Sequence, residues 1–177
     1  MTSTTADRST PLSRERADLL ESLQAQRGFL LHTVHGLTDE QARLRPTVSE
    51  LSLGGLVKHV SATERVWADF AVDGPSAFPP NDEAAWARRA EEFTLLEHET
   101  LEEVLAAYAE VARRTHGLVA DLPDLDADHP LPEAPWFEPG ARWSARRVFL
   151  HIVAETAQHA GHADIIRESL DGAKSMG

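Results

Sequence analysis

Residues 144–172 read SARRVFLHIVAETAQHAGHADIIRESLDG, with Val148, Ile152, Ala163, Ile166 and Leu170 recurring at helical intervals between a leading serine and a closing Asp171-Gly172. A serine side chain can accept from the free N–H groups of a first turn, and glycine can close a last one, so the stretch predicts one long amphipathic helix. Counting about 100° per residue from His151, those apolar side chains fall at roughly 60–120°, Glu155 near 40°, His159 near 80° and His162 near 20°. His159 thus sits within the core-facing side and Glu155 at its border, where water is not the default partner.

Working outward, three more long helices are predicted. The first runs from about Ser13 to Gly36 and carries Leu19, Leu20, Leu23, Phe29, Leu30, Leu31 and Val34 at helical spacing. Thr38-Asp-Glu-Gln41 is a capping box opening a short helical turn that Pro46 ends. Ser52 heads a second long helix in which Leu53, Leu56, His59, Val60, Thr63, Trp67 and Phe70 share one face, and Gly74-Pro75 stops it. A long connection over 76–93, bearing Trp86, is expected to hold about one helical turn. A second capping box, Thr100-Leu-Glu-Glu103, opens the third long helix, with Leu101, Val104, Leu105, Tyr108, Val111 and Leu118 at its spacing. Residues 124–140, rich in Pro and Asp, are expected to be loop. No strand-like alternation competes, so the expectation is an all-α, antiparallel-type four-helix bundle with long crossovers. Residues 13–172 are expected to form it as a single domain behind a flexible leader, 1–12. The long connections suggest a cover over something at one end of the bundle.

Composition narrows the chemistry. The 177 residues include 17 basic and 29 acidic side chains, for a formal charge of −12, and 42% hydrophobic residues, enough for a core without staples. Cysteine is absent, which excludes disulfides, thiolate metal sites and a thiol nucleophile belonging to the chain. The acid excess argues against a phosphate-backbone partner, so nucleic acid is not expected. Neither a signal peptide nor a bilayer-spanning run is apparent, and a cytoplasmic location is the expectation. Only two basic residues are lysine, and this Arg and Ala bias fits a GC-rich genome.

A carboxylate half-buried beside imidazoles must be neutralised, hydrogen-bonded or bound to a cation. Glu155 and His159, four residues apart, either form a salt bridge on a helix face or point at one cation. His59 lies on the apolar face of another helix, which a neighbouring helix could bring to the same point. Two histidines and a carboxylate would make an open three-ligand site of the kind found in catalytic zinc centres and tolerated by iron and nickel.

The pattern Leu53-Gly-Gly-Leu56-Val-Lys-His59-Val60, then Glu64-Arg-Val-Trp67, with Glu155-Thr-Ala-Gln-His159-Ala-Gly-His162-Ala-Asp164 near the end, resembles the DinB/YfiT-like superfamily over nearly the whole chain. More narrowly it resembles the actinobacterial mycothiol-dependent proteins of that group. The resemblance implies a DinB-type four-helix bundle holding one divalent metal through a histidine of the second helix and two ligands of the last, here His59, Glu155 and His159. Most of the superfamily uses three histidines. Glu155 at the middle position matches the His, Glu, His triad of the mycothiol-dependent maleylpyruvate isomerases. His162 and His151 are neighbours on the stripe, as substrate contacts, supports of the ligands or a fourth ligand, with simple packing polarity the plainer reading of His151. Trp67 and Glu64 match family-like positions, which a core aromatic and a solvated charge explain equally well.

An open metal position with no protein thiol points to a thiol from solution, and the resemblance implies mycothiol. The expectation is a metal-dependent enzyme, with zinc as the metal and nickel or iron as alternatives, that activates this thiol for transfer to, or isomerisation of, a small electrophilic molecule. Metal-bound water would instead give a hydrolase, and a nonenzymatic metal-binding stress-response module, dimeric through an exposed helix face, is the third reading. Arg142, Arg146 and Arg147 offer carboxylate binding, although solvated surface is their ordinary role. His32 and His35 suit the negative end of the first helix. His98, His116 and His129 are expected to be exposed, and Trp136, Phe137 and Trp143 either line an entrance to the site or, as the plainer reading, seal the bundle end.

Overall fold

The computed structural model describes residues 11–80, 82, 89 and 91–175. Its helices are α1 (Arg14–Val34), α2 (Asp39–Arg43), α3 (Leu53–Asp73), α4 (Leu101–Asp121) and α5 (Ala145–Asp171). Each starts at a hydroxyl: Ser13, Thr38, Ser52, Thr100 and Ser144 all accept from a backbone N–H three residues on, and Thr38 and Thr100 close full capping boxes. Residues 1–10 of the expected leader and the expected turn around Trp86 lie outside the described residues.

The fold is all-α, with α5 packed against both α1 and α3, and α3 in turn against α4. Two apolar clusters fill it. One gathers Leu30 and Val34 of α1, Leu56 and Val60 of α3, Val104 and Tyr108 of α4, and Ala163 and Ile166 of α5. The other takes Leu19 and Leu23, Trp67 and Phe70, Val119, and Val148 and Ile152 from the same four helices. The order in which each helix visits the clusters fixes its direction: α1 and α5 run parallel, and α3 and α4 run opposite to them. The segment from α3 to α4 must therefore travel back along the bundle. It passes the middle of α3 at Glu92 and Phe93 and returns Leu95 to the first cluster. The cover expected at one end of the bundle is in this case drawn along its flank.

Between the clusters lies a polar layer. Glu64, matched in the sequence to a solvated charge as readily as to a family position, is 1% exposed and accepts from Arg27 of α1, through Nε at 3.2 Å and through Nη2. The correction has a visible cause: three residues before Trp67 and four after Val60, Glu64 shares the core-facing stripe. Arg27, between Leu23 and Leu30, does the same on α1. Tyr108 is 1% exposed, and burial, reinforced by the Glu64 charge, pushes its phenol up from 10 so that it stays protonated. Thr156, one residue after Glu155, completes the layer and donates to Ile152 O at 2.8 Å.

The connection before α5 also departs from expectation. Residues 128–130 pair antiparallel with 142–144 as β1 (Asp128–Pro130) and β2 (Arg142–Ser144), in register Asp128 with Ser144. Three-residue strands are too short for alternation to register in a sequence. The ribbon sets Trp143 flat against Trp67, ring centroids 4.9 Å apart, and Phe137 edge-on to both, so Trp143 and Phe137 pack over the second cluster's end as expected, whereas Trp136, expected with them, is 63% exposed. His129, expected to be exposed, is half-buried beside Phe70 and above Gly74. Gly74 closes α3 at φ +65°, and a Cβ there would sit 2.8 Å from the His129 ring, so glycine is required twice over. Arg146 is committed to Glu15 and Asp126, Arg142 to Asp128, and Arg147 lies 4.3 Å over the Trp143 ring.

Candidate metal centre

Because α3 and α5 pack side by side in opposite directions, the middle of one faces the middle of the other. There a ligand atom from each of His59, Glu155 and His159 lies within 4.8 Å of the other two. The His59 and His159 rings meet edge-on with centroids 4.9 Å apart, and Glu155 Oε2 is 3.7 Å from His159 Nε2. His151 stands on the other side of Glu155, its Nε2 3.7 Å from Oε1, with Trp67 and Trp143 edge-on against it. His162 lies next to His159, centroids 5.5 Å apart, outside the three-residue group.

His59 is buried, and His159 and Glu155 are half-buried with side chains 12% and 30% exposed. Burial pulls the His159 imidazole down to about 4, with the neighbouring His59 and His162 acting in the same sense, so it is neutral at neutral pH. Burial lowers His151 as well, the nearby Arg147 assisting and Glu155 opposing. Neutral imidazole is the form that ligates a metal.

The site fits a divalent cation on its own chemistry. Two imidazoles and a carboxylate form the donor set, and the separations between His59, Glu155 and His159 exceed hydrogen-bond lengths while remaining short enough for one shared ion. In addition Nδ1 of His59, His159 and His162 is buried without a hydrogen-bond partner among the described residues, an arrangement that is costly unless something else uses the rings.

Sequence reasoning missed the cover on His59. Phe93 stacks on the imidazole at 3.8 Å and Glu92 Oε2 stands 3.8 Å from Nδ1. The approach is possible because position 55 is glycine: a Cβ there would sit 1.9 Å from the Phe93 carbonyl oxygen. The pair Gly54-Gly55 one turn before His59 was the available signal for a close crossing, whereas nothing in the sequence of 91–95 itself marks it as a site segment. Thr63 Oγ1 lies 3.4 Å from His59 Nε2, one helical turn along.

A family model described as Mycothiol-S-transferase matches residues 18–172. No curated protein matches the chain. No helix among the described residues is long and apolar enough to cross a membrane.

Proposed function

The chain belongs to the mycothiol-S-transferase family, and on that premise we propose that it joins mycothiol to a small electrophile with the help of a divalent cation, zinc before nickel or iron, held by His59, Glu155 and His159. The observation that carries the reading is the meeting of those three side chains from two antiparallel helices. In the net reaction the thiol proton passes to solvent, a C–S bond forms, and a leaving group departs with the electrons of its bond to carbon.

When bound, the cation supplies positive charge that favours thiolate over thiol at neutral pH. The chain's residues do the rest. Glu155 contributes the single negative charge of the triad, leaving net positive charge for the anionic sulfur. His151, edge-on to Trp67 and Trp143, borders Glu155 on one side, and His162 borders His159 on the other. Phe93 shields the His59 ring from water, and shielding strengthens every charge interaction beneath it.

The test is turnover with mycothiol and an alkyl halide, with and without metal. Activity is expected to require both, and His159→Ala is expected to lower it by more than the about 10–100-fold that loss of an outer partner costs a metal site. Turnover without added thiol would point to metal-bound water as the nucleophile, and full activity in chelator would remove the cation from the account.

A further inference from the structure

Beside the triad opens a cavity of about 560 Å³, within the usual range for a small-molecule site. Three of its wall residues reach the triad or its neighbour. Thr63 stands 3.4 Å from His59 Nε2, Glu92 stands 3.8 Å from His59 Nδ1, and Trp67 packs on His151, itself 3.7 Å from Glu155. A molecule in the cavity would thus be separated from the triad by these side chains alone.

The described wall also includes an aromatic and proline-rich part, with Phe78, Pro79, Pro80 and Trp136. Trp136 is 63% exposed, a large indole left half in water at the cavity mouth. Covering it would remove apolar area from water and add ring contact. Among the described residues of the wall Arg65 and Arg89 stand against Glu92 and Glu133, so neither sign of charge prevails there.

We propose that the cavity seats the second reactant and that this reactant is a neutral, planar aromatic electrophile, its ring against Trp136 and its edge against Trp67 and Phe78. The assignment rests on the transferase reading above and names its substrate class. With 1-chloro-2,4-dinitrobenzene the C–S bond would form as the C–Cl bond breaks, chloride leaving with the bonding pair and the thiol proton passing to solvent.

The experiment has two arms, both on the zinc-loaded full chain. Calorimetric titration with 1,3-dinitrobenzene, which lacks a leaving group, is expected to show binding that Trp136→Ala weakens by about 2- to 10-fold, the worth of one aromatic contact. Ala62→Phe, which fills the cavity from α3, is expected to weaken it further. In turnover with mycothiol, Trp136→Ala is expected to raise KM for 1-chloro-2,4-dinitrobenzene with kcat little changed, and to lower the ratio of its kcat/KM to that of ethyl acrylate by a similar factor. Binding indifferent to both substitutions, or an equal effect on the two electrophiles, overturns the assignment. Loss of all turnover with Trp136-dependent binding retained overturns the transferase reading and supports the aromatic site.

Discussion

A single added carbon at position 55 has no room, because the Phe93 carbonyl already occupies its place at 1.9 Å. Gly55→Ala must push the 91–95 segment outward and lift Phe93 from His59, so a loss of about 1–3 kcal/mol is expected. Denaturant unfolding measures it, and an unchanged midpoint would show that the crossing is looser than described. The Arg27–Glu64 pair is the second residue-scale determinant. Either partner alone would be left charged and buried, so Arg27→Met or Glu64→Gln is expected to cost about 3–5 kcal/mol, with the double variant recovering part of it. A double-mutant cycle by chemical denaturation checks this. Neither was legible in the sequence as a core charge: a solvated charge explains Glu64 there and Arg27 is not singled out, although each falls at helical spacing between core residues. What hid their pairing is that helical periodicity describes each rod alone and says nothing of which rods meet. His59, Glu155 and His159 were found on their faces for the same reason, and their convergence needed either the resemblance or the structure.

At the scale of elements, α1 to α5 were legible because each carries its own start signal, a Ser or Thr whose oxygen takes the third N–H of the helix. The connections were not, since their shape depends on what they cross. The end of the segment leading to α4 is clasped to the start of α3: Lys58 Nζ donates to Thr94 O at 3.2 Å and to Glu99 Oε2 at 2.8 Å, and Leu96 N–H donates to the same carboxylate at 2.8 Å. Burial pushes the Glu99 carboxyl up, but Lys58 and the Leu96 N–H outweigh it and hold the group below its ordinary 4.5. An acid lowered by folding stabilises the fold fully above its unfolded value, and the contribution is lost as pH falls through its folded value. Glu99→Gln is therefore expected to cost about 1–2 kcal/mol at pH 7, and the gap from the parent chain should close as the pH falls below about 4.5. Unfolding curves at a series of pH values would reveal this, and a gap independent of pH would mean the clasp is not ionic.

For the whole molecule, a bundle of two parallel helix pairs with a polar layer between two apolar clusters places its charged and ligating groups where core packing is thinnest in hydrocarbon. The long α3-to-α4 crossover then has a physical role: helices that run parallel force the chain to return along the bundle, and the return path lays Glu92 and Phe93 over His59. Length and periodicity made the four rods and their long joints legible, whereas the direction of each rod was fixed only by which cluster each end entered. An ion held by two helices binds the folded chain alone and adds to its stability, by about 2.7 kcal/mol at a hundredfold excess over Kd. A rise in Tm with zinc is thus expected for the parent chain and not for His59→Ala.

Whether one divalent cation is held between α3 and α5 can be read from a metal-edge anomalous difference map of crystals grown with zinc. One dominant peak is expected, bounded by the imidazoles of His59 and His159 and the carboxylate of Glu155. A map with no peak there, or with its zinc elsewhere on the acidic surface, would contradict it.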